Sequence, residues 1–240
     1  MPYNDYGLHV TEVQEQRRKH MRFIHVADLH LGEAEERWNY FYEVMKVCEE
    51  EKTELLLIAG DLFDALPDMA GLKKIDNAFA KIPKTKVVMI AGNHDYLKRT
   101  SQYFDLVFPE NVSFLVSSNG DSVWLSDLNT EVYGLSYEVP EISDARYDKL
   151  KPQHPERINV LLGHGDIRCE DTSIPIHREA VDALGYDYVA LGHLHTRIEI
   201  SNRIAYTGNK GYIRGEIAKE QGKNSIPCWV YVPYKGVKED

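Results

Sequence analysis

Five short blocks carry residues that bind metals, and each follows a run that reads as a buried strand: Asp28-Leu29-His30, Gly60-Asp61-Leu62-Phe63-Asp64, Gly92-Asn93-His94-Asp95, Gly163-His164 and Gly192-His193-Leu194-His195. A strand has no use for carboxylate, imidazole and carboxamide, whereas positions just past the carboxyl ends of strands line the active crevice of an open α/β sheet. Asp28 and His30 lie two apart, as do His193 and His195, so each pair can point to one side of a strand end. Asp61 has two oxygens to offer to two ions. Divided on that basis, one ion takes Asp28, His30, Asp61 and His195, and the other takes Asp61, Asn93, His164 and His193. Mixed nitrogen and oxygen ligands without thiolate suit two divalent cations, with Mn²⁺ expected and Fe²⁺ or Zn²⁺ as alternatives, and argue against a closed structural zinc.

Each block alone has a plainer explanation. Asp-x-His usually sits in a surface loop or caps a helix, and Gly-Asn-His-Asp is a good turn. Turn chemistry does not explain five such blocks, each at a strand-to-loop junction. Glycines precede Asp61, Asn93, His164 and His193 and permit the tight turns that gather the strand ends.

The elements that must position these blocks alternate along the chain. Strands are expected up to Ala27, over Leu55–Ala59 and over Val87–Ala91, with helices at Trp38–Glu51 and near Leu72–Lys81. Short, partly alternating segments follow at Val112–Val116, Val123–Ser126 and Glu131–Leu135, split by turn compositions. Then come a strand at Ile158–Leu162, a helix near His177–Leu184, a strand at Tyr188–Leu191, a hairpin (Arg197–Ile200 and Arg203–Thr207) and a last strand at Cys228–Val232. Two groups of mixed strands with outer helices predict a layered α/β sandwich. Residues 1–20 read as a polar extension and residues 21–240 as a single domain.

At 43% hydrophobic over 240 residues the chain has enough apolar surface for a full core. No run approaches a membrane span. Three cysteines without CxxC spacing exclude a zinc knuckle and predict a reduced, cytoplasmic protein. The net charge of −10 weakens the case for a long DNA footprint, which normally needs clustered Lys and Arg. Two divalent ions return about +4 at the place where a phosphate must bind.

The blocks DxH, GDxxD, GNHD, GH and GHxH, in this order, resemble the calcineurin-like metallophosphoesterase superfamily. Within it, Asp28-Leu-His-Leu-Gly, Gly60-Asp-Leu-Phe-Asp and Gly192-His-Leu-His look like the SbcD-type branch of DNA repair exonucleases. The resemblance spans roughly Met21 to Thr207 and implies a four-layer α/β/β/α sandwich of two mixed sheets, together with the ligand division given above. It implies a metal-dependent nuclease acting on DNA. A small soluble phosphoester is the alternative substrate, favoured by the acidity. About 45 residues follow His195, which is short for both a DNA cap and a tail that grips an ATPase partner of SbcC type, so that partner is not expected and a homodimer is the expected source of footprint.

In such a site two metals about 3.5–4 Å apart clamp a water and a phosphate for in-line attack. His94 is the histidine left over from ligation. It is expected to stabilise the transition state or protonate the leaving oxygen, with Asp95 orienting it. Asp64 is expected to hold a ligand from behind. Arg99 is a candidate phosphate contact, against the plainer reading of a surface charge. Lys98, Lys210 and Arg214 are further candidates for DNA contact.

Overall fold

The computed structural model describes residues 20–170, 172–219, 225 and 227–236, so the expected extension lies outside the described residues except for His20. In chain order these form β1 (Met21–Val26), α1 (Glu35–Glu50), β2 (Leu55–Ala59), α2 (Met69–Phe79), β3 (Lys86–Ile90), β4 (Val112–Phe114), β5 (Asp121–Leu125) and β6 (Thr130–Gly134). They continue with β7 (Ile158–His164), α3 (Arg178–Ala183), β8 (Tyr188–Gly192), β9 (Ile198–Glu199), β10 (Ile204–Tyr206), β11 (Gly211–Ile217) and β12 (Cys228–Pro233). One six-stranded sheet has the order β12-β11-β1-β2-β3-β4, and the other β5-β6-β7-β8-β10-β9. Both are mixed: β1-β2-β3-β4 and β6-β7-β8-β10 run parallel, with antiparallel strands at their edges.

Alternation along the strands decides the layering. In β2, Leu56 and Ile58 pack with Phe41 and Val44 of α1 and Leu72 and Ile75 of α2. Leu55, Leu57 and Ala59 point the other way and meet Val160, Leu162 and Ala190 of the second sheet. Leu161, Val189 and Leu191 then face outward onto Val181 of α3 and the loops around Tyr137 and Ile174. The order is helices, sheet, sheet, helix with loops, and the expected α/β/β/α sandwich is borne out. Every β2 residue is buried, as a strand covered on both faces requires.

Helix α2 starts where Asp68 accepts a hydrogen bond from Gly71 N at 2.7 Å, an N-cap contact. Helix α1 begins three residues earlier than expected, at Glu35, with acidic residues in its first turn, where they complement the helix dipole. The short middle segments do not form a single unit. β4 pairs with β3 in the first sheet, while β5 and β6 open the second. The sequence pattern does not reveal β11, although it lies between β1 and β12. Among the described residues no helix is long and apolar enough to cross a membrane.

His25 lies between the sheets, fully buried, with Nδ1 3.0 Å from the Tyr188 hydroxyl. Burial pushes its pKa down to about 3, whereas an unfolded histidine titrates near 6.5. Between these values the unfolded chain binds one more proton than the folded one. Stability is therefore full above about pH 6.5 and falls as pH drops toward 3, by up to about 1.4 kcal/mol per pH unit. His25→Phe should flatten the pH dependence by that slope. Urea unfolding of both proteins in chelator, from pH 7 to pH 4, checks this; parallel curves would refute it.

Candidate metal centre

The parallel order β1-β2-β3 sets three carboxyl strand ends side by side, and face-to-face packing brings the ends of β7 and β8 to the same rim. Backbone hydrogen bonds continue past the strands: Asp28 N donates to Gly60 O at 3.2 Å, His30 N to Asp61 O at 3.0 Å, and Gly165 N to Gly192 O at 3.2 Å. Four of the expected ligands stand in the left-handed backbone region: Asp28 (φ 53), His30 (φ 47), Asp61 (φ 48) and His193 (φ 100). Such residues cost on the order of 1–3 kcal/mol each and cluster where a site over-determines them. Two glycines are required by close approach. A Cβ on Gly60 would lie 2.4 Å from His164 Nδ1, and one on Gly92 would lie 2.1 Å from Asp61 Oδ1.

All seven expected ligands meet at this rim. Asp61 Oδ2 lies 3.3 Å from His164 Nε2 and 4.0 Å from His30 Nε2, between two groups of donors. On one side His30 Nε2 and His195 Nε2 are 3.0 Å apart, and Asp28 offers an oxygen to the same group. On the other, Asn93 Oδ1 lies 2.9 Å from His164 Nε2 and 3.2 Å from His193 Nδ1. Asp28 also lies within reach of Asp61 and His164, and its carboxylate accepts His193 N at 2.9 Å.

The donor chemistry fits a cation. His164 Nδ1 sits 2.8 Å from the Ala59 carbonyl, which only accepts, so Nδ1 carries the hydrogen. The Nε2 lone pair is then aimed at the oxygens of Asn93 and Asp61, an arrangement that needs a positive charge between them. Without metal a proton fills that role. Burial lowers the His164 pKa, but the charge and hydrogen bond of Asp61, the charge of Asp28 and the Ala59 carbonyl together outweigh it and raise the value to about 9. Burial pushes Asp61 up, yet the His164 charge and hydrogen bond hold its carboxyl well below the ordinary range. Burial raises Asp28 to about 7 and lowers His30 to about 4.

His94 stands at the edge of the cluster. Its N–H donates to Asp61 Oδ1 at 2.9 Å and its Nδ1 lies 3.0 Å from the Asp64 carbonyl, so Nδ1 carries the hydrogen and Nε2 is left for the groove. The ring meets His30 edge-on, with centroids 4.8 Å apart. Asp64 sits beside a candidate ligand, with Oδ1 3.1 Å from His30 Nδ1.

Two expectations are corrected. Asp95 does not orient His94. It is fully buried and accepts Gly92 N at 2.8 Å, Phe63 N at 3.3 Å and the Tyr103 hydroxyl at 3.0 Å. It ties the Gly92–Asp95 turn to the loop after β2, and the Asp64 carbonyl orients His94 instead. Arg99 is exposed and does not line the groove over the cluster. That groove, about 310 Å³, is lined by Asp61, His94, His193 and His195 together with Arg168. Arg168 is hard to single out in the sequence because acidic neighbours surround it. Its Nε lies 3.4 Å from Asp166 Oδ1 and 3.5 Å from Glu170 Oε2. Its one visible signal is a lone cation four residues past His164. Arg37, also missed, donates to Asn209 O at 2.9 Å, and Asn209 N donates to His195 O at 3.2 Å.

A family model described as calcineurin-like phosphoesterase matches residues 21–197, which include every expected ligand. The chain belongs to the calcineurin-like phosphoesterase family. It is 30% identical over 232 residues to the DNA double-strand break repair protein Mre11 of Methanocaldococcus jannaschii, covering 85% of this chain and 61% of that protein. It is 26% identical over 271 residues to the SbcD component of the SbcCD nuclease of Staphylococcus epidermidis, covering 91% of this chain and 71% of that one. The chain therefore spans about three fifths of the archaeal relative's length. Against a solved structure, GAP50, the anchor in the inner membrane complex of Plasmodium, the TM-score is 0.49 at 11% identity over 90% of this chain and 89% of that one, too low to carry an argument. The resemblance to the SbcD-type branch is borne out, and the calcineurin-like phosphoesterase domain is a metal-dependent hydrolase.

Proposed function

We propose that this chain is a two-metal phosphodiesterase that cleaves DNA, as an exonuclease or endonuclease of SbcD type. The observation that carries the reading is the placement of Asp61 Oδ2 between the His30–His195 pair and the His164–Asn93–His193 group. The family match and two relatives named for DNA repair and nuclease activity support it. Asp28, His30, Asp61 and His195 would hold one divalent ion, and Asp61, Asn93, His164 and His193 the other, with Mn²⁺ the proposed metal. Such ions supply water activation and charge neutralisation on the phosphate.

The chain's own residues do the rest. His94 presents Nε2 toward the groove and stabilises charge on the phosphate or gives a proton to the leaving oxygen. Its Nδ1–H, held by the Asp64 carbonyl, keeps that nitrogen aimed. Asp64 places its carboxylate behind His30. Arg168, at the groove, contacts a phosphate oxygen of the bound substrate. Arg168→Ala should raise KM about tenfold, one charged hydrogen bond's worth, with kcat unchanged because the contact binds ground and transition states alike. Steady-state kinetics check this; a fall in kcat alone would refute it.

The deciding experiment is Mn²⁺-dependent cleavage of labelled single- and double-stranded oligonucleotides at low salt, beside an aryl phosphodiester. Oligonucleotide cleavage is expected. A second reading, hydrolysis of a small soluble phosphoester, is favoured by the −10 net charge and by the pairing of Arg168 with two carboxylates. Brisk aryl diester hydrolysis with no cleavage of either oligonucleotide would establish it instead.

A further inference from the structure

We infer that three buried tyrosine hydroxyls, those of Tyr137, Tyr147 and Tyr206, form a clamp that positions His164 as a metal ligand. The inference rests on the metal reading proposed above and deepens it. His164 ends β7, and beyond it the chain leaves the sheet. Its backbone finds partners in side chains instead. His164 N donates to the Tyr147 hydroxyl at 2.8 Å, and the Tyr137 hydroxyl donates to His164 O at 3.1 Å. The Tyr206 hydroxyl donates to Gly165 O at 2.9 Å and accepts Ile167 N at 3.1 Å. Tyr137 also accepts Ile174 N at 2.8 Å, joining the returning limb of the loop to the same point.

The three tyrosines come from separate places: the segment after β6, a single 3-10 turn at Tyr147–Lys149, and β10. All three are wholly buried, at 0% exposure. Where a core needs only volume, phenylalanine fills it without the cost of burying a hydroxyl. Here each hydroxyl meets a backbone group of residues 164–167 that the sheet leaves unpaired. The imidazole is fixed from two further directions, by the Ala59 carbonyl at Nδ1 and by the Tyr137 ring edge-on at 5.6 Å between centroids. The clamp therefore holds the Cα, and Ala59 holds the ring. Together they set Nε2 at 2.9 Å from Asn93 Oδ1 and 3.3 Å from Asp61 Oδ2. Coordinating groups must be held to within about 0.5 Å by the residues behind them, and losing such support costs about 10–100-fold in metal affinity.

The test uses Tyr147→Phe, Tyr206→Phe and Tyr137→Phe in the full chain, which keep the rings and remove one oxygen each. Tyr186→Phe is the control, since its hydroxyl donates to Leu150 O in the same outer core and touches none of residues 164–167. Mn²⁺ binding is followed by calorimetry and by electron paramagnetic resonance. In the clamp variants one of the two Mn²⁺ steps should weaken about 10–100-fold while the other is unchanged. Raising Mn²⁺ should restore kcat. Tyr186→Phe should lower Tm and leave both steps untouched. Clamp variants that lose stability yet bind Mn²⁺ as the wild type does would overturn the inference and leave the tyrosines as core. If one variant fails to fold, the other two give the same reading. Wild-type protein that binds no Mn²⁺ would instead sink the metal reading itself, and the inference with it.

Discussion

Asp61→Asn should leave a folded protein that holds at most one Mn²⁺ and has lost hydrolysis beyond the roughly 10²–10⁴-fold that one acid–base group supplies. Asp61 Oδ2 lies close to both His164 Nε2, at 3.3 Å, and His30 Nε2, at 4.0 Å. Asparagine keeps an acceptor for His94 N, now served by Oδ1 at 2.9 Å. Its amide hydrogens turn toward the histidine lone pairs, where a cation should sit. The metal-free variant should be less stable than the wild type at neutral pH, because His164 loses the Asp61 charge that it pairs with when no metal is bound. Asp61→Ala would confuse the result, since it strips His94 N of its partner. Calorimetric stoichiometry with Mn²⁺, beside thermal melts in chelator, measures both effects. Two equivalents bound at wild-type affinity would remove Asp61 from the bridging role.

His94→Ala should separate chemistry from binding. Both Mn²⁺ ions should remain, while kcat falls roughly 10²–10⁴-fold. His94 reaches the cluster through its backbone, whose N–H is retained in alanine and still donates to Asp61 Oδ1. Only the imidazole is lost, and its Nδ1 bond to the Asp64 carbonyl shows which nitrogen faces the groove. Loss of a metal in this variant would mean that His94 is a ligand. The grouping of His30, Asp64 and His94 within mutual reach makes that a real alternative outcome. Asp95→Asn provides the contrast: Asp95 binds Gly92, Phe63 and Tyr103, so its loss is expected in stability.

Much of the site was legible because metal ligation demands residue types that strands and turns rarely supply together. Asp28, His30, Asp61, Asn93, His164, His193 and His195 were readable as types at junctions, and the glycines before four of them were readable as turns. Asp95 was misread because Gly-Asn-His-Asp places two side chains in sequence contact that the turn sends in opposite directions, His94 to the groove and Asp95 into the core. Strand β11 was missed for a related reason. Gly211-Tyr-Ile-Arg-Gly-Glu-Ile carries two glycines and two charges, which read locally as breakers. Its strand character comes from pairing with β1 and β12, and Gly215 is small because a Cβ there would meet Cys228 O at 2.7 Å and the Phe23 ring at 2.8 Å.

The division follows from range. By itself the sequence determined which strands are buried on both faces, roughly where they end, and that residues of metal-ligating type follow them, since each depends on residue type and local period. Only the tertiary structure decided that β4 and β5 belong to different sheets, that Arg168 rather than Arg99 reaches the groove, and that three distant tyrosines hold the backbone of His164. Those depend on segments that meet only when two sheets close face to face, and no local pattern encodes such a meeting.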